Sequence, residues 1–133
     1  MVIDTSALVA IVFQEPDFQD YVNRISDAPR KWMSSASLLE ALVVVHVKKG
    51  LAGIDILRQF LTIAKIEIAD FTEEHAWLAF DVYRRFGKGT GHPARLNILD
   101  CCAYATAVQC KEILLFKGGD FSKAQRPAES DVQ

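Results

Sequence analysis

Short apolar runs that are typical of strands alternate along this chain with longer segments of helical periodicity. The predicted strands are Val2–Asp4, residues 30–33 (RKWM), residues 65–71 (KIEIADF) and residues 113–116 (ILLF). Helical segments separate the strands, and strands joined through helices run parallel because each connection must cross over. Parallel sheets are covered by helices on both faces. The sequence therefore predicts an α/β fold with a central parallel sheet.

The helices are predicted from apolar spacing and from end signals. Ser6 is a suitable N-cap for the first helix, and Thr72 is a suitable N-cap for a later one. Gly50, which follows two lysines, is a typical stop signal, so we expect a separate helix over residues 54–64. Residues 98–110 form the last predicted helix.

The length of 133 residues predicts one domain, and half of the residues are apolar, which is enough for a core. We expect the domain over residues 1–126 and a flexible tail over residues 127–133. A net charge of −2 does not favour polyanion binding over the whole surface. Residues 82–99, however, contain Arg84, Arg85, Lys88 and Arg95 and no acid. These are either phosphate contacts or solvated surface charges.

Cysteine usage and the absence of targeting signals predict where the protein acts. Cys101, Cys102 and Cys110 are an odd number with two adjacent, which is a poor disulfide framework and favours buried thiols. The N-terminus lacks a basic signal region, and the longest apolar run is too short to cross a bilayer. We expect a soluble, cytoplasmic protein with no membrane partner.

Four acids follow predicted strands or open central helices: Asp4, Glu40, Asp100 and Asp120. The carboxyl ends of parallel strands meet at one edge of a sheet, where ligands bind, so these acids are predicted to converge. Each also has a structural interpretation. Glu40 and Asp100 have capping-box spacing to Ser37 and Asn97, Asp4 can accept bonds from a helix start, and Asp120 can be a turn residue.

Carboxylates held together in a cleft repel one another unless a cation neutralises them. Hard oxygen ligands without His or Cys suit Mg²⁺ or Mn²⁺, and a metal held by carboxylates suits phosphodiester hydrolysis. The three histidines lack zinc spacing, and the sequence has no P-loop. The sequence therefore predicts hydrolytic chemistry that depends on a divalent metal.

Four segments resemble the motifs of the PIN-domain ribonucleases, and more closely those of VapC-type toxins of bacterial toxin–antitoxin pairs: MVIDTSALVAI, SSASLLEA, GKG…HPARLNILDCCAYA and LLFKGGDF. They occur in the family's order and cover nearly the whole chain. The resemblance implies a three-layer α/β/α sandwich with a sheet of four to five strands. It also implies an endoribonuclease that needs Mg²⁺ or Mn²⁺. The implied partners are RNA, a VapB-type antitoxin that covers the site, and a second copy in a homodimer or larger toxin–antitoxin assembly.

The resemblance also implies roles for individual residues. Asp4 and Asp100 match the principal metal ligands, and Glu40 and Asp120 match acids that act directly or through water. Ser6 matches the small hydroxyl residue that supports the first Asp. Water would attack the RNA phosphate in line, leaving 5′-phosphate and 3′-hydroxyl ends. Arg85, Lys88 and Arg95 are the candidate contacts to RNA phosphates.

Three positions depart from the family pattern. Leu99 stands where Gly is common, Gly119 stands where the last motif often has an acid, and the loop GKGTGHP is one residue longer than the common form. Gly119 leaves Asp120 without an acidic neighbour, which affects any second metal. The longer loop is a candidate determinant of substrate choice.

Two other functions remain open from the sequence. A PIN fold can act as a binding and regulatory module that works through antitoxin and DNA without cutting RNA. Asp4 can alternatively be the nucleophile of a phosphoacceptor or phosphatase domain, although DTS lacks the second Asp that such phosphatases use two positions on.

Overall fold

A single parallel sheet forms the centre of the computed structural model, which describes residues 1–119 and 121–124. The four strands lie in the order β3-β2-β1-β4. Val2 in the central strand pairs with Trp32 on one side and with Leu114 on the other. The strands are β1 (Val2–Ile3), β2 (Trp32–Ser34), β3 (Glu67–Ala69) and β4 (Leu114–Leu115). The predicted parallel sheet is confirmed.

In the part of the chain that the structure describes, five α-helices connect and cover these strands. They are α1 (Thr5–Val12), α2 (Phe18–Asp27), α3 (Ser35–Ile63), α4 (Glu73–Phe86) and α5 (Ile98–Cys110), and a 3₁₀ turn follows at Phe121–Lys123. Within residues 1–119 and 121–124, none of the helices is long and apolar enough to span a membrane.

Consecutive strand residues pack into different layers because side chains alternate across a strand. Val2 and Leu114 belong to the core that contains residues of α4 and α5. Ile3 and Leu115 belong to the opposite core, which contains residues of α1, α2 and α3. This alternation confirms the three-layer α/β/α arrangement.

The prediction that helical geometry stops at Gly50 is confirmed, but the next helical stretch begins at once and not at residue 54. The helix α3 runs from Ser35 to Ile63 and is kinked at Gly50, where φ is +61° and ψ is −157°. Only glycine adopts this backbone conformation readily, so the glycine bends the helix and no loop follows. Lys48 and Lys49, just before the kink, lie 5.1 and 5.5 Å from the centre of the Phe13 ring.

The three cysteines are free thiols, as predicted: Cys101 and Cys102 are buried and Cys110 is partly buried. Burial raises the pKa of Cys101 to about 12, and the neighbouring Asp100 charge adds to this effect. The predicted domain boundary at residue 126 and the predicted tail over residues 127–133 lie outside the described residues.

Candidate active site

Three acids are attached to elements that end or begin at the carboxyl edge of the sheet. Asp4 directly follows β1, and α3 begins directly after β2. The helix α5 is followed at once by β4, which is parallel to β1, so the first turn of α5 lies toward the same edge. The topology therefore directs Asp4, Glu40 and Asp100 toward one side of the molecule.

Asp4 is a buried carboxylate, with only 4% of its surface exposed. It is the N-cap of α1, and its Oδ2 accepts hydrogen bonds from the Ser6 backbone N–H at 2.9 Å and the Ser6 hydroxyl at 2.7 Å. The prediction of Ser6 as the N-cap is therefore wrong, because Asp4 at the strand end already supplies the cap. The structural interpretation of Asp4 as an acceptor at a helix start is correct.

The environment of Asp4 disfavours its charge. Burial raises the pKa of Asp4, the hydrogen bonds from Ser6 oppose that effect, and the charge of Glu40 raises the pKa further. A carboxyl group on α3 therefore acts on the carboxyl group that caps α1. The Thr5 hydroxyl donates to the Ser37 carbonyl at 2.8 Å and fastens the start of α1 to the first turns of α3.

Glu40 does not have the capping role that its spacing to Ser37 suggests. The N-cap of α3 is Ser34, whose hydroxyl accepts from the Ala36 N–H at 3.2 Å, so Ser37 and Glu40 both lie inside the helix. The capping-box interpretation of Glu40 is wrong because the strand ends earlier than that interpretation requires. Burial raises the pKa of the Cys102 thiol on α5, and the charge of Glu40 raises it further.

Asp100 does cap its own helix. Its backbone N–H donates to Asn97 Oδ1 at 2.8 Å, and its Oδ2 accepts from the Asn97 N–H at 2.9 Å, which completes a capping box. The structural interpretation of Asp100 is therefore confirmed. The carboxylate is half-buried, and a capping bond occupies one of its two oxygens without removing its charge.

Asp120 lies outside the described residues, so its position relative to the other acids stays a prediction. Residues 1–119 and 121–124 contain no group of three or more His, Cys, Asp or Glu side chains arranged to hold a metal ion. Among the described candidate acids, the charge of Glu40 acts on Asp4 and raises its pKa.

The predicted phosphate contacts are exposed and lie in the last turn of α4 and in the loop that leads into α5. Arg85 pairs with Asp81 at 3.8 Å and lies 5.0 Å from the centre of the Phe86 ring. The loop that follows is closed by the Lys88 N–H, which donates to the Leu96 carbonyl at 2.8 Å. Arg95 directly precedes Leu96, so this bond brings Lys88 and Arg95 close along the backbone. The side chains of Lys88 and Arg95 are both exposed.

The sequence analysis did not single out Lys117, which contacts Ser6, Glu15 and Asp17. The Lys117 backbone N–H donates to the Ser6 hydroxyl at 2.8 Å. Its ammonium donates to Glu15, and to Asp17 at 2.9 Å. No local pattern indicates these contacts, because the residues involved are separated by at least 100 positions along the chain.

An apolar groove of about 520 Å³ lies between α4 and α5, next to the start of α5. No local sequence pattern predicts this groove, because its lining comes from two separate helices and the residue Phe71 before α4. The residues that line it include Phe71, Phe80, Tyr83, Ile98, Cys101 and Cys102.

Comparison with known proteins agrees with this architecture. Residues 1–127 match the PIN domain, and the chain therefore belongs to the PIN-domain family. It is similar over most of its length to VapC ribonucleases. Ribonuclease VapC of Mycolicibacterium smegmatis is 42% identical over 121 residues, which are 91% of this chain and 93% of the relative. Ribonuclease VapC28 of Mycobacterium tuberculosis is 38% identical over 121 residues, 91% of each chain. Ribonuclease VapC42 of the same species is 34% identical over 129 residues, 96% of this chain and 98% of the relative.

Proposed function

We propose that this protein is an endoribonuclease toxin of a VapBC pair, dependent on Mg²⁺ or Mn²⁺ and neutralised by a VapB-type antitoxin. The observation that carries the proposal is the buried carboxylate of Asp4, held beside Glu40 at the carboxyl edge of a PIN-domain sheet. The similarity to VapC ribonucleases over nearly the whole chain supports RNA as the substrate.

The donor set suits a hard divalent cation. Asp4 is only 4% exposed and lies near Glu40, so its negative charge is energetically unfavourable when no cation is bound. A bound cation makes the charged form of Asp4 favourable. Asp4 and Asp100 would hold the ion, and Glu40 and Asp120 would contact it directly or through water. When bound, the ion supplies Lewis acidity at the scissile phosphate and lowers the pKa of the attacking water.

The chain's own residues have distinct tasks in this mechanism. The two Ser6 bonds to Oδ2 hold the Asp4 carboxylate in one orientation. Glu40, which has no capping bond, accepts a proton as water attacks the phosphate in line. Arg85, Lys88 and Arg95 neutralise phosphates of the RNA. The products carry 5′-phosphate and 3′-hydroxyl ends.

Antitoxin and a second copy of the chain are the proposed protein partners. Most apolar side chains of α1 are buried, so this helix offers little apolar surface to a second copy. Exposed apolar side chains lie instead on α3, at intervals of four residues: Leu39, Val43, Val47 and Leu51. This stripe supports a two-fold homodimer, which light scattering of Val43→Glu against wild type would test.

The central experiment is cleavage of a defined RNA by purified protein with Mg²⁺, Mn²⁺, Zn²⁺ or a chelator, followed by sequencing of the product ends. We expect cleavage with Mg²⁺ or Mn²⁺, none with chelator, and a loss of at least ~100-fold in Asp4→Asn, the scale for a central electrostatic group. Asp55→Asn, an exposed acid on α3, is the control and retains activity. Activity that survives chelation, or equal activity in Asp4→Asn, contradicts the proposal and favours a binding module or another chemistry.

A further inference from the structure

Lys117 connects the hydroxyl that orients Asp4 to a distant loop. Its backbone N–H donates to Ser6 Oγ at 2.8 Å. A hydroxyl has one proton, and because the Ser6 oxygen accepts from Lys117, that proton is directed to Asp4 Oδ2 at 2.7 Å. The amide of Lys117 therefore fixes the direction in which Ser6 donates.

The side chain of Lys117 is held at its far end by two acids. Its ammonium donates to Glu15 and, at 2.9 Å, to Asp17, both in the connection between α1 and α2. Asp17 also accepts a hydrogen bond from the hydroxyl of Tyr21, a mostly buried residue of α2, at 3.0 Å. Lys117 thus ties the segment after β4 to the connection between α1 and α2. Tyr21 in turn holds that connection against the core.

These ion pairs are too exposed to matter chiefly for stability. Roughly a third of the Lys117 and Glu15 side chains and 44% of the Asp17 side chain are accessible to solvent. Exposed pairs contribute little to the free energy of unfolding. The ion pairs matter more for the position of Lys117 than for stability. Two glycines with much conformational freedom follow Lys117, and Gly118 has φ of +101°, so the chain after Lys117 does little to hold it in place. Lys117 is therefore the last side chain that is fastened before the segment leading to Asp120.

We propose that Lys117 is a positioning residue for the metal site: its ammonium, tied to Glu15 and Asp17, holds its amide against Ser6 and so fixes the Asp4 carboxylate. This inference rests on the proposed metal-dependent function. It assigns to the lysine a geometric role, which differs from a simple contribution of positive charge.

Charge and geometry predict opposite results when the ammonium is removed. Lys117→Met keeps the backbone N–H and most of the side-chain length. If only charge matters, loss of a cation near an acidic cluster strengthens Mn²⁺ binding. If position matters, the amide leaves Ser6, and the Ser6 hydroxyl is no longer directed at Asp4. Asp4 then keeps only one of the two bonds that orient it, and Mn²⁺ binding weakens by about tenfold, the lower end for losing a group that orients a metal ligand. Lys117→Arg keeps both the charge and the tie, and we expect it to bind Mn²⁺ nearly as wild type does.

Lys31→Met is the matched control. Lys31 is also half-buried, and its ammonium donates to the Ala64 carbonyl at 3.0 Å, at the other end of β2 from the candidate site. We expect a change in melting temperature similar to that of Lys117→Met, with unchanged Mn²⁺ affinity. Affinity is measured by electron paramagnetic resonance of free Mn²⁺, which does not depend on turnover.

A second readout needs no metal. In chelator, hydrogen exchange of the residue 117 amide reports its bond to Ser6 directly, and we expect faster exchange in Lys117→Met and in Glu15→Gln/Asp17→Asn. The double variant keeps the lysine and serves if Lys117→Met does not fold. Unchanged exchange, or Mn²⁺ affinity in Lys117→Met equal to or tighter than wild type, overturns the inference. A wild-type protein that neither binds Mn²⁺ nor cuts RNA overturns the proposed function instead.

Discussion

The charge of Glu40 raises the pKa of Asp4, although the two acids belong to different helices. Asp4 directly follows the central strand, caps α1 and is buried, whereas Glu40 lies in the second turn of α3 and is partly exposed. The charge of Glu40 makes the charged form of Asp4 less favourable when no cation is present. This relationship distinguishes the pair from acids whose only role is to cap a helix.

Glu40→Gln provides a test of this relationship that does not disturb a cap. Because Ser34 caps α3, the substitution removes a charge and leaves the helix start intact. In chelator we expect the melting temperature to rise by about 2 °C, since ~0.5 kcal/mol of repulsion disappears. Calorimetry measures the change. Glu74→Gln, at an exposed position in the first turn of α4, is the control, and we expect a small fall from weaker helix-dipole stabilisation.

Asp4→Asn should change how stability depends on pH. Because the pKa of Asp4 is raised in the folded state, the folded protein holds this proton more tightly than the unfolded chain. The destabilising contribution of its charge is absent below the ordinary pKa of 3.8 and complete above the raised value. In chelator, wild type should therefore lose stability relative to Asp4→Asn as pH rises through this window. Urea titrations at several pH values measure the difference, and parallel curves for the two proteins would contradict it.

Asp100 can be tested by two substitutions that separate its cap from its charge. In Asp100→Asn the amide oxygen still accepts the Asn97 N–H, so we expect a melting temperature at or above that of wild type and a loss of cleavage of at least ~100-fold. Asp100→Ala removes the acceptor and should cost about 1 kcal/mol of stability in addition. An equal fall in melting temperature for both variants would mean that the carboxylate charge is needed for the fold.

Gly50→Ala should destabilise the protein without affecting the candidate site. No atom lies within 4 Å of the position that a Cβ would occupy, so the cost comes from the backbone, whose φ is +61° and ψ is −157°. Strain of this kind costs about 1–3 kcal/mol. Chemical denaturation measures the loss, and Mn²⁺ affinity of the folded variant should stay at the wild-type value.

An antitoxin tail that carries an arginine should compete with metal. A guanidinium pairs with carboxylates in bidentate fashion, and the charges of Asp4 and Glu40 are uncompensated without a cation. We expect excess Mn²⁺ to relieve inhibition in part, and Asp4→Asn/Asp100→Asn to weaken binding of the antitoxin. Calorimetric titrations with and without Mn²⁺ measure both effects. Equal affinity of the antitoxin for the double variant and wild type, with no effect of metal, would rule out this mode of inhibition.

The layer arrangement was predictable because it depends on local periodicity. The strand at Val2 and the capped helix at Thr72 follow from neighbouring residues alone. Helix starts in serine-rich stretches were less predictable, since three serines at residues 34, 35 and 37 compete for the cap and the sheet decides among them. The role of Lys117 was beyond prediction, because its contacts depend on how distant segments meet.

The brevity of β1 has a consequence for how such a chain can change over evolutionary time. Only two residues form this strand, and they point into opposite layers immediately before Asp4. One inserted residue would displace the carboxylate by about 3.3 Å and exchange the layers of Val2 and Ile3. Side chains around this edge can drift in size while the protein survives, but the spacing of its opening residues tolerates no insertion or deletion. We therefore expect insertions and deletions to be tolerated in segments such as the loop before α5, where the sheet imposes no register.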